Sequence, residues 1–374
     1  MTPLGDGSSG MQVHDALGTS AVVPPDGDEP VRWIVGAYSA SPSRFDWDPS
    51  AEAHYLEGVL ALPGLRGLEV PFTDSLHKYD EPWLLARLPH HLDVVVTLIP
   101  GTTSRLKVRP RFGLASTDGE GRRAALDLAA HAAEGVHRLN DAFGRAAVVA
   151  VELHSAPRVG DGGSTSHALA QSLTELASWD WAGARLVVEH CDTRVDGRAP
   201  AKGYLPLEDE LSAIKAANAQ AGSDVGVSVN WGRSVIEARA VDGAVRHVRQ
   251  ARDAGLLAGV VFSGCAAADT RFGAAWADAH VPPAPHGTSR ATDRDGGEQR
   301  ELLEPLSLMT GQRVRETVEA AGSLGVAGFY GLKIAPLRDA TLDERVRTVG
   351  ESLAVVQRAA AAATLVRADQ AEVT

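Results

Sequence analysis

Only two cysteines, Cys191 and Cys265, occur in 374 residues. Two thiols cannot build a disulfide framework, and a reducing cytoplasm is the simpler expected setting. No run of 18 apolar residues is present, so nothing is expected to span a membrane. The N-terminus lacks a basic segment followed by an apolar one, and no secretory signal is expected. Positive charge is scarce: 36 Lys and Arg stand against 48 Asp and Glu, a formal net charge of −12. Nucleic-acid binding rests on neutralising phosphates with Lys and Arg. The balance argues against a nucleic-acid partner and against an anionic membrane surface. What remains, 44% hydrophobic and 22% charged residues, is the composition of a soluble globular chain. Its length suits one large domain or two ordinary ones.

Residues 1–29 are rich in Gly, Ser, Pro and Asp and read as a disordered tail. Eight short apolar runs then alternate with helical patterns. The strands are expected at Arg32–Ser39, Gly67–Phe72, Asp93–Ile99, Ala146–His154, Arg185–Asp192, Asp224–Asn230, Gly259–Ser263 and Val326–Ile334. Between them lie helix signals, among them an Ala-rich stretch from Arg122 to Phe143. Ser234 with Glu237, and Thr341 with Glu344, have capping-box spacing. Alternation of this kind implies a parallel sheet. Eight units fit a single closed α/β (β/α)8 TIM barrel over residues 30–362. A doubly wound open sheet is the alternative, but no Gly-rich dinucleotide fingerprint follows the first strand. The Gly160–Gly163 loop lacks the Lys of a phosphate-binding loop. A long insertion after the seventh strand, residues 264–308, carries Trp276, Asp278 and His280 and is expected to act as a lid. Its second half, Ser289–Gln299, is polar and expected to be mobile. Residues 363–374 are expected to be frayed.

The stretch R-L-V-V-E-H-C-D, Arg185 to Asp192, organises the functional reading. A buried strand emerges there into ionisable groups, and the carboxyl ends of barrel strands are where chemistry is placed. The bland alternative is that Glu189 pairs with a buried Arg or Lys and only holds the barrel together. Other strand ends repeat the pattern, giving Glu69, Glu152, His154, His190, Asp192, Asn230, Arg233 and Lys333, with Asp278 and His280 from the insertion. Glu189 and Glu152 are the expected acid and base. Lys333 is expected as base, Schiff-base nucleophile or electrostatic clamp. Glu69, His154, His190, Asp192, Asn230, Arg233, Trp276, Asp278 and His280 are expected to hold substrate, with Trp276 stacking on a sugar face. Glu189 is expected to be the most damaging single position for activity.

These segments resemble the xylose isomerase-like barrel superfamily, which includes sugar isomerases, sugar epimerases and endonuclease IV-type repair enzymes. The resemblance covers residues 31 to 360 and fits a divergent, uncharacterised branch. L-V-V-E at 186–189 is similar to the fifth-strand motif whose Glu binds metal. L-H-S-A-P at 153–157 is similar to a fourth-strand segment ending in a metal-binding His. V-S-V-N-W-G-R-S at 227–234 resembles a sixth-strand motif that carries Asp and His where this chain has Asn230 and Arg233. No His stands near Ser263, and Lys333 stands where the family has a metal-binding Glu. The resemblance implies a small carbohydrate or sugar-acid substrate and an isomerase or epimerase reaction by proton transfer next to a carbonyl. Its departures imply no favoured cofactor, with a divalent metal at Glu189 and His154 kept open. A Lys-dependent lyase or aldolase and a non-catalytic sugar-binding protein are the competing readings. A homo-oligomer is compatible with all of them.

Overall fold

A computed structural model describes residues 32–44, 46–160, 163–285, 300–325 and 328–371. The expected N-terminal tail and the polar stretch Ser289–Gln299 lie outside the described residues. The strands are β1 Trp33–Val35, β2 Gly67–Pro71, β3 Asp93–Thr97, β4 Val148–Leu153, β5 Arg185–His190, β6 Gly226–Asn230, β7 Leu257–Phe262 and β8 Phe329–Leu332. All pair in parallel and in chain order, and β8 closes on β1, so the sheet is a closed eight-stranded barrel. Seven of the strands sit within the expected runs, trimmed at one or both ends, and β7 overlaps its run but begins two residues earlier, at Leu257.

The helices are α1 Pro49–Leu60, α2 Glu81–Leu85, α3 Ile99–Leu106, α4 Gly119–Phe143, α5 Ser166–Ala177, α6 Leu207–Ala221, α7 Trp231–Ala238, α8 Gly243–Asp253, α9 Gly311–Ala321 and α10 Leu342–Ala371. Local chemistry explains their starts. The side chains of Asp48, Asp118 and Thr165 each accept a backbone N–H in the first turn of the helix that follows. At the head of α10 both halves of the capping box form: Thr341 N–H donates to Glu344 Oε2 at 2.9 Å, and Glu344 N–H donates to Thr341 Oγ1 at 3.2 Å. That helix continues past the expected end near Ala362, to Ala371. The expected capping box at Ser234 and Glu237 does not form. Asn230 caps α7 instead, accepting from Arg233 N–H, which starts the helix directly off β6. Helix α3 carries no sequence expectation; its first turn holds Pro100, in a position Pro tolerates.

Side chains alternate across each strand. The outward set, including Val94, Val96, Val151, Val188, Val227 and Val229, packs in the main core beneath the helices. The inward set forms a smaller apolar plug of Ile34, Val95, Ala150, Val187, Val261 and Phe329. Two residues further along β3, β4, β5 and β7 the inward positions turn polar: Val95 is followed by Thr97, Ala150 by Glu152, Val187 by Glu189 and Val261 by Ser263, while on β8 Phe329 is followed by Gly331 and then Lys333. The lumen is therefore apolar at its base and ionised at the carboxyl end of the strands.

Candidate active site

The polar layer is built round Lys333. Its Nζ lies 2.8 Å from Glu69 Oε1, 3.0 Å from Glu189 Oε1 and 3.5 Å from Glu152 Oε2. The ammonium is fully buried. Burial alone would push its pKa down, but the carboxylates of Glu152, Glu189 and Glu69 outweigh it and hold the pKa well above the ordinary lysine value. Gly36, just past β1, makes room for the lysine stem: a Cβ built there would meet Lys333 Cγ at 3.0 Å.

Glu189 is the most heavily bonded carboxylate. Its Oε1 accepts from Asn230 Nδ2 at 2.9 Å and faces an Arg233 guanidinium nitrogen at 3.0 Å, besides Lys333. Its Oε2 lies 2.8 Å from His154 Nε2. Burial would raise the Glu189 pKa, but Arg233, Lys333 and His154 hold it well below the usual carboxylate range. Glu152 is less well served. Burial pushes its pKa up to about 8, against the pull of Lys333 and with help from Glu189 and Glu69. Ser228 Oγ donates to it at 3.0 Å. Burial drives His154 down to about 4, with its bond to Glu189 only partly opposing. Near neutrality Glu189 is thus an anion and His154 is neutral.

Above this layer opens a pocket of about 700 Å³. Glu69, Tyr38 and Arg233 line its lower part, and Lys202, Asp278, His280 and Phe272 face it from the loops. Glu152, Glu189, His154, Asn230 and Lys333 do not line it; they lie beneath and brace what does. Glu69 joins the two levels, because Tyr38 donates its hydroxyl to the same Oε1 at 3.1 Å. Burial raises the Glu69 pKa, with Lys333 opposing and Glu189 reinforcing. On the opposite side Arg233 Nε donates to Asp278 Oδ2 at 3.1 Å, and Lys202 Nζ donates to the same oxygen at 2.8 Å. His280 Nε2 lies 3.4 Å from Asp278 Oδ1.

Arg271, Phe272, Asp278, Ala279 and His280 of the insertion line the pocket. His280 and Trp276 both have positive φ, 51° and 60°, although neither is Gly. Such a backbone costs about 1–3 kcal/mol per residue, so the packing of this loop over-determines its shape.

Besides His154 and Asn230 beneath the pocket, three more of the expected substrate-binding residues sit elsewhere. His190 is one place along from Glu189, so alternation sends it outward through the barrel wall, where its Nδ1 meets Glu210 Oε2 at 2.7 Å. Asp192 is consumed by the backbone: it accepts from Ala201 N–H at 2.6 Å and Lys202 N–H at 2.9 Å, which fixes the loop that presents Lys202. Trp276 packs on the guanidinium of Arg239, 4.7 Å from its ring centroid, and does not line the pocket. The rings that do are Tyr38, His77, Tyr79, Phe272 and His280. Tyr38 and Lys202 were not among the expected site residues. Tyr38 carried a readable signal, since it follows β1 by three positions at the active end. Lys202 carried none, because it sits in a loop whose path depends on Asp192.

The comparisons agree with this architecture. The barrel superposes on a putative xylose isomerase from Rhodospirillum rubrum with a TM-score of 0.52, at 10% identity over 88% of this chain and 98% of that one. It superposes on a D-psicose 3-epimerase, solved in the presence of D-fructose, with a TM-score of 0.50 at 14% identity, covering 88% and 99%. It also spans 42% of the length of a xylose isomerase-like TIM barrel/4-hydroxyphenylpyruvate dioxygenase fusion protein, with a TM-score of 0.50 at 13% identity over 87% of this chain. The fold is thus that of a xylose isomerase-like TIM barrel. Residues 34–348 match the family model described as Domain of unknown function (DUF4862), and the chain belongs to that family. The Uncharacterized protein STM3670 of Salmonella typhimurium is 34% identical over 330 residues, 87% of this chain and 97% of the relative.

Proposed function

We propose that this protein is an isomerase or epimerase of a small sugar or sugar acid, and that Glu69 moves the proton. The carrying observation is Glu69 itself: a carboxylate on the floor of the pocket, bridged to a buried ammonium at 2.8 Å and to the Tyr38 hydroxyl at 3.1 Å. A base matched to this task needs a pKa moved toward neutrality, and burial moves Glu69 in that direction. In the reaction, Glu69 takes the proton from the carbon next to the substrate carbonyl. The C–H electron pair forms the enediolate, and the proton returns to a carbon of the same enediolate. Arg233 on the pocket floor stabilises the oxyanion. Lys202 and His280 bind hydroxyl or carboxylate groups, and Tyr38 relays or donates at the oxygen.

This reading moves the proton-transfer role from Glu189 and Glu152 to Glu69. Glu189 is saturated by cations and Asn230, and Glu152 is closed off beneath the floor, so both act by holding Lys333 and Arg233 in place. The fold family implies a divalent metal among such carboxylates, and His154, Glu189 and Cys191 do bring ligand atoms within 4.8 Å of one another. The donor set does not fit one. Both oxygens of Glu189 already face N–H donors or an imidazole, Cys191 Sγ faces Arg233, 3.1 Å away, and burial holds the Cys191 thiol well above its ordinary pKa. We infer a lumen in which Lys333 supplies the positive charge. A Schiff base on Lys333 is disfavoured for the same reason: the ammonium is protonated and enclosed. The deciding experiment is proton exchange. Aldoses, ketoses and sugar acids are incubated with the protein in heavy water and followed by NMR. The expected result is solvent deuterium at the carbon next to the carbonyl for one substrate class, lost in Glu69→Gln. Exchange that persists undiminished in Glu69→Gln would overturn the assignment.

A further inference from the structure

The outward face of β5 carries a second ionisable cluster, remote from the pocket. His190 Nδ1 meets Glu210 Oε2 of α6 at 2.7 Å. That bond leaves His190 Nε2 facing the other way, buried and without a hydrogen-bond partner. In front of it stand Glu237 of α7, with Oε2 3.6 Å away, and His247 of α8. The His247 Nε2 is 3.6 Å from Glu237 Oε1, while its Nδ1 lies 3.0 Å from Ser234 Oγ. The two imidazole rings are 4.9 Å apart and nearly perpendicular, at 79°. All three ligand-type atoms lie within 4.8 Å of one another.

We propose that His190, Glu237 and His247 form a zinc site on the outer side of the barrel wall. Two imidazoles and one carboxylate are a common protein donor set for Zn2+, with bonds of about 2.0–2.2 Å. Tetrahedral geometry at those lengths separates ligand atoms by roughly 3.4 Å, and each imidazole Nε2 here stands 3.6 Å from one of the two Glu237 oxygens, His190 from Oε2 and His247 from Oε1. Each histidine also has the partner that a metal-bound imidazole uses on its other nitrogen, Glu210 for His190 and Ser234 for His247. Such partners fix the tautomer and turn the free lone pair toward the ion. Thr193 N–H donates to Glu237 Oε2 at 2.8 Å and orients that carboxylate. The side chains of Glu237 and His247 are 15% and 13% exposed, so a fourth position opens to water. None of the three residues lines the pocket, so the ion would tie β5, α7 and α8 together without touching substrate.

The test is binding of Zn2+ alone to the chelator-stripped full chain, which separates this site from the proposed reaction. One equivalent is expected to bind. His247→Ala and Glu237→Gln should each weaken it more than about 100-fold, and Glu210→Gln, which removes only an outer partner, by about 10–100-fold. X-ray absorption at the zinc edge of the unaltered protein is expected to show two imidazoles in the coordination shell, a readout that needs no variant to fold. Failure of the stripped protein to bind Zn2+ would overturn the proposal. So would binding that survives both ligand substitutions, or a shell with a single imidazole, as His154 in the lumen would give.

Discussion

Glu189 and His190 are neighbours in sequence and stand on opposite sides of one barrel wall. Each is itself fully buried, yet the clusters they belong to solve their charge problem differently. Inside, Lys333 and Arg233 are permanent cations built into the chain, and every oxygen of Glu189 is engaged. Outside, the ionisable partners of Glu210 and Glu237 are imidazoles, His190 and His247. Burial alone would lower the His190 pKa, but those two carboxylates carry it to about 10. His247 beside it is driven by burial to about 4. The inner cluster is closed by its own sequence; the outer one is balanced by a proton on His190. A covalent cation suits a site that must stay dry and fixed beneath a substrate, whereas a proton is readily exchanged for an ion.

The largest effect should come from breaking the inner balance. Lys333→Met removes the shared cation and leaves Glu69, Glu152 and Glu189 facing one another. Breaking a buried pair costs about 3–5 kcal/mol, and denaturant unfolding should report a loss of that size. A variant as stable as the parent would mean the carboxylates are neutral without Lys333. Next comes pH. His154 has a folded pKa of about 4 against an ordinary 6.5. The unfolded chain therefore binds the extra proton first, and this stabilising contribution is complete above about pH 6.5 and is lost as pH falls toward 4. At about 1.4 kcal/mol per unit the span is roughly 3 kcal/mol. His190 runs the other way: its contribution is complete below pH 6.5 and fades as pH rises toward 10. The stability gap between His154→Gln and the parent should change with pH on the acid limb, and that between His190→Gln and the parent on the alkaline limb. A smaller inner effect is expected at Gly36→Ala. The added methyl crowds the Lys333 stem, an overpacking that typically costs about 1–3 kcal/mol, and unfolding midpoints would measure it.

The barrel was legible because its signals are local and repeated: eight apolar runs, helical periods between them, and polar residues at each strand end. The inward polar layer followed from the same alternation, which is why Glu69, Glu152, Glu189, Asn230 and Lys333 converge as expected. What misled was counting residues at a strand end without asking which face each takes. His190 shows this, since period two puts it behind Glu189. Asp192 shows a second limit. A carboxylate after a strand reads as catalytic, but whether a loop folds back to fill it with backbone N–H groups is not written in the strand. Trp276 shows a third, because its partner Arg239 is far away in sequence. The division of labour between Glu69 and the buried pair depends on which carboxylate the pocket reaches, and the pocket is lined by the segments after β1, β2, β3, β5, β6, β7 and β8.

The smallest effect sharpens the comparison most. His247 is neutral near pH 7, holds one hydrogen bond to Ser234 and is not fully buried. Without metal, His247→Ala removes that one modest bond and some packing, and should cost about 1 kcal/mol. The inner cluster offers no such mild substitution. With Zn2+ present the same variant should diverge from the parent. An ion that binds only the folded state adds RT ln(1 + [Zn]/Kd), about 2.7 kcal/mol at one hundred times Kd, and His247→Ala should forgo most of it. Thermal unfolding of both proteins, each with chelator and with added Zn2+, measures the four values needed. A gap between parent and variant that stays the same in chelator and in zinc would mean that His247 only packs, and that the outer cluster is held by His190 and its glutamates alone.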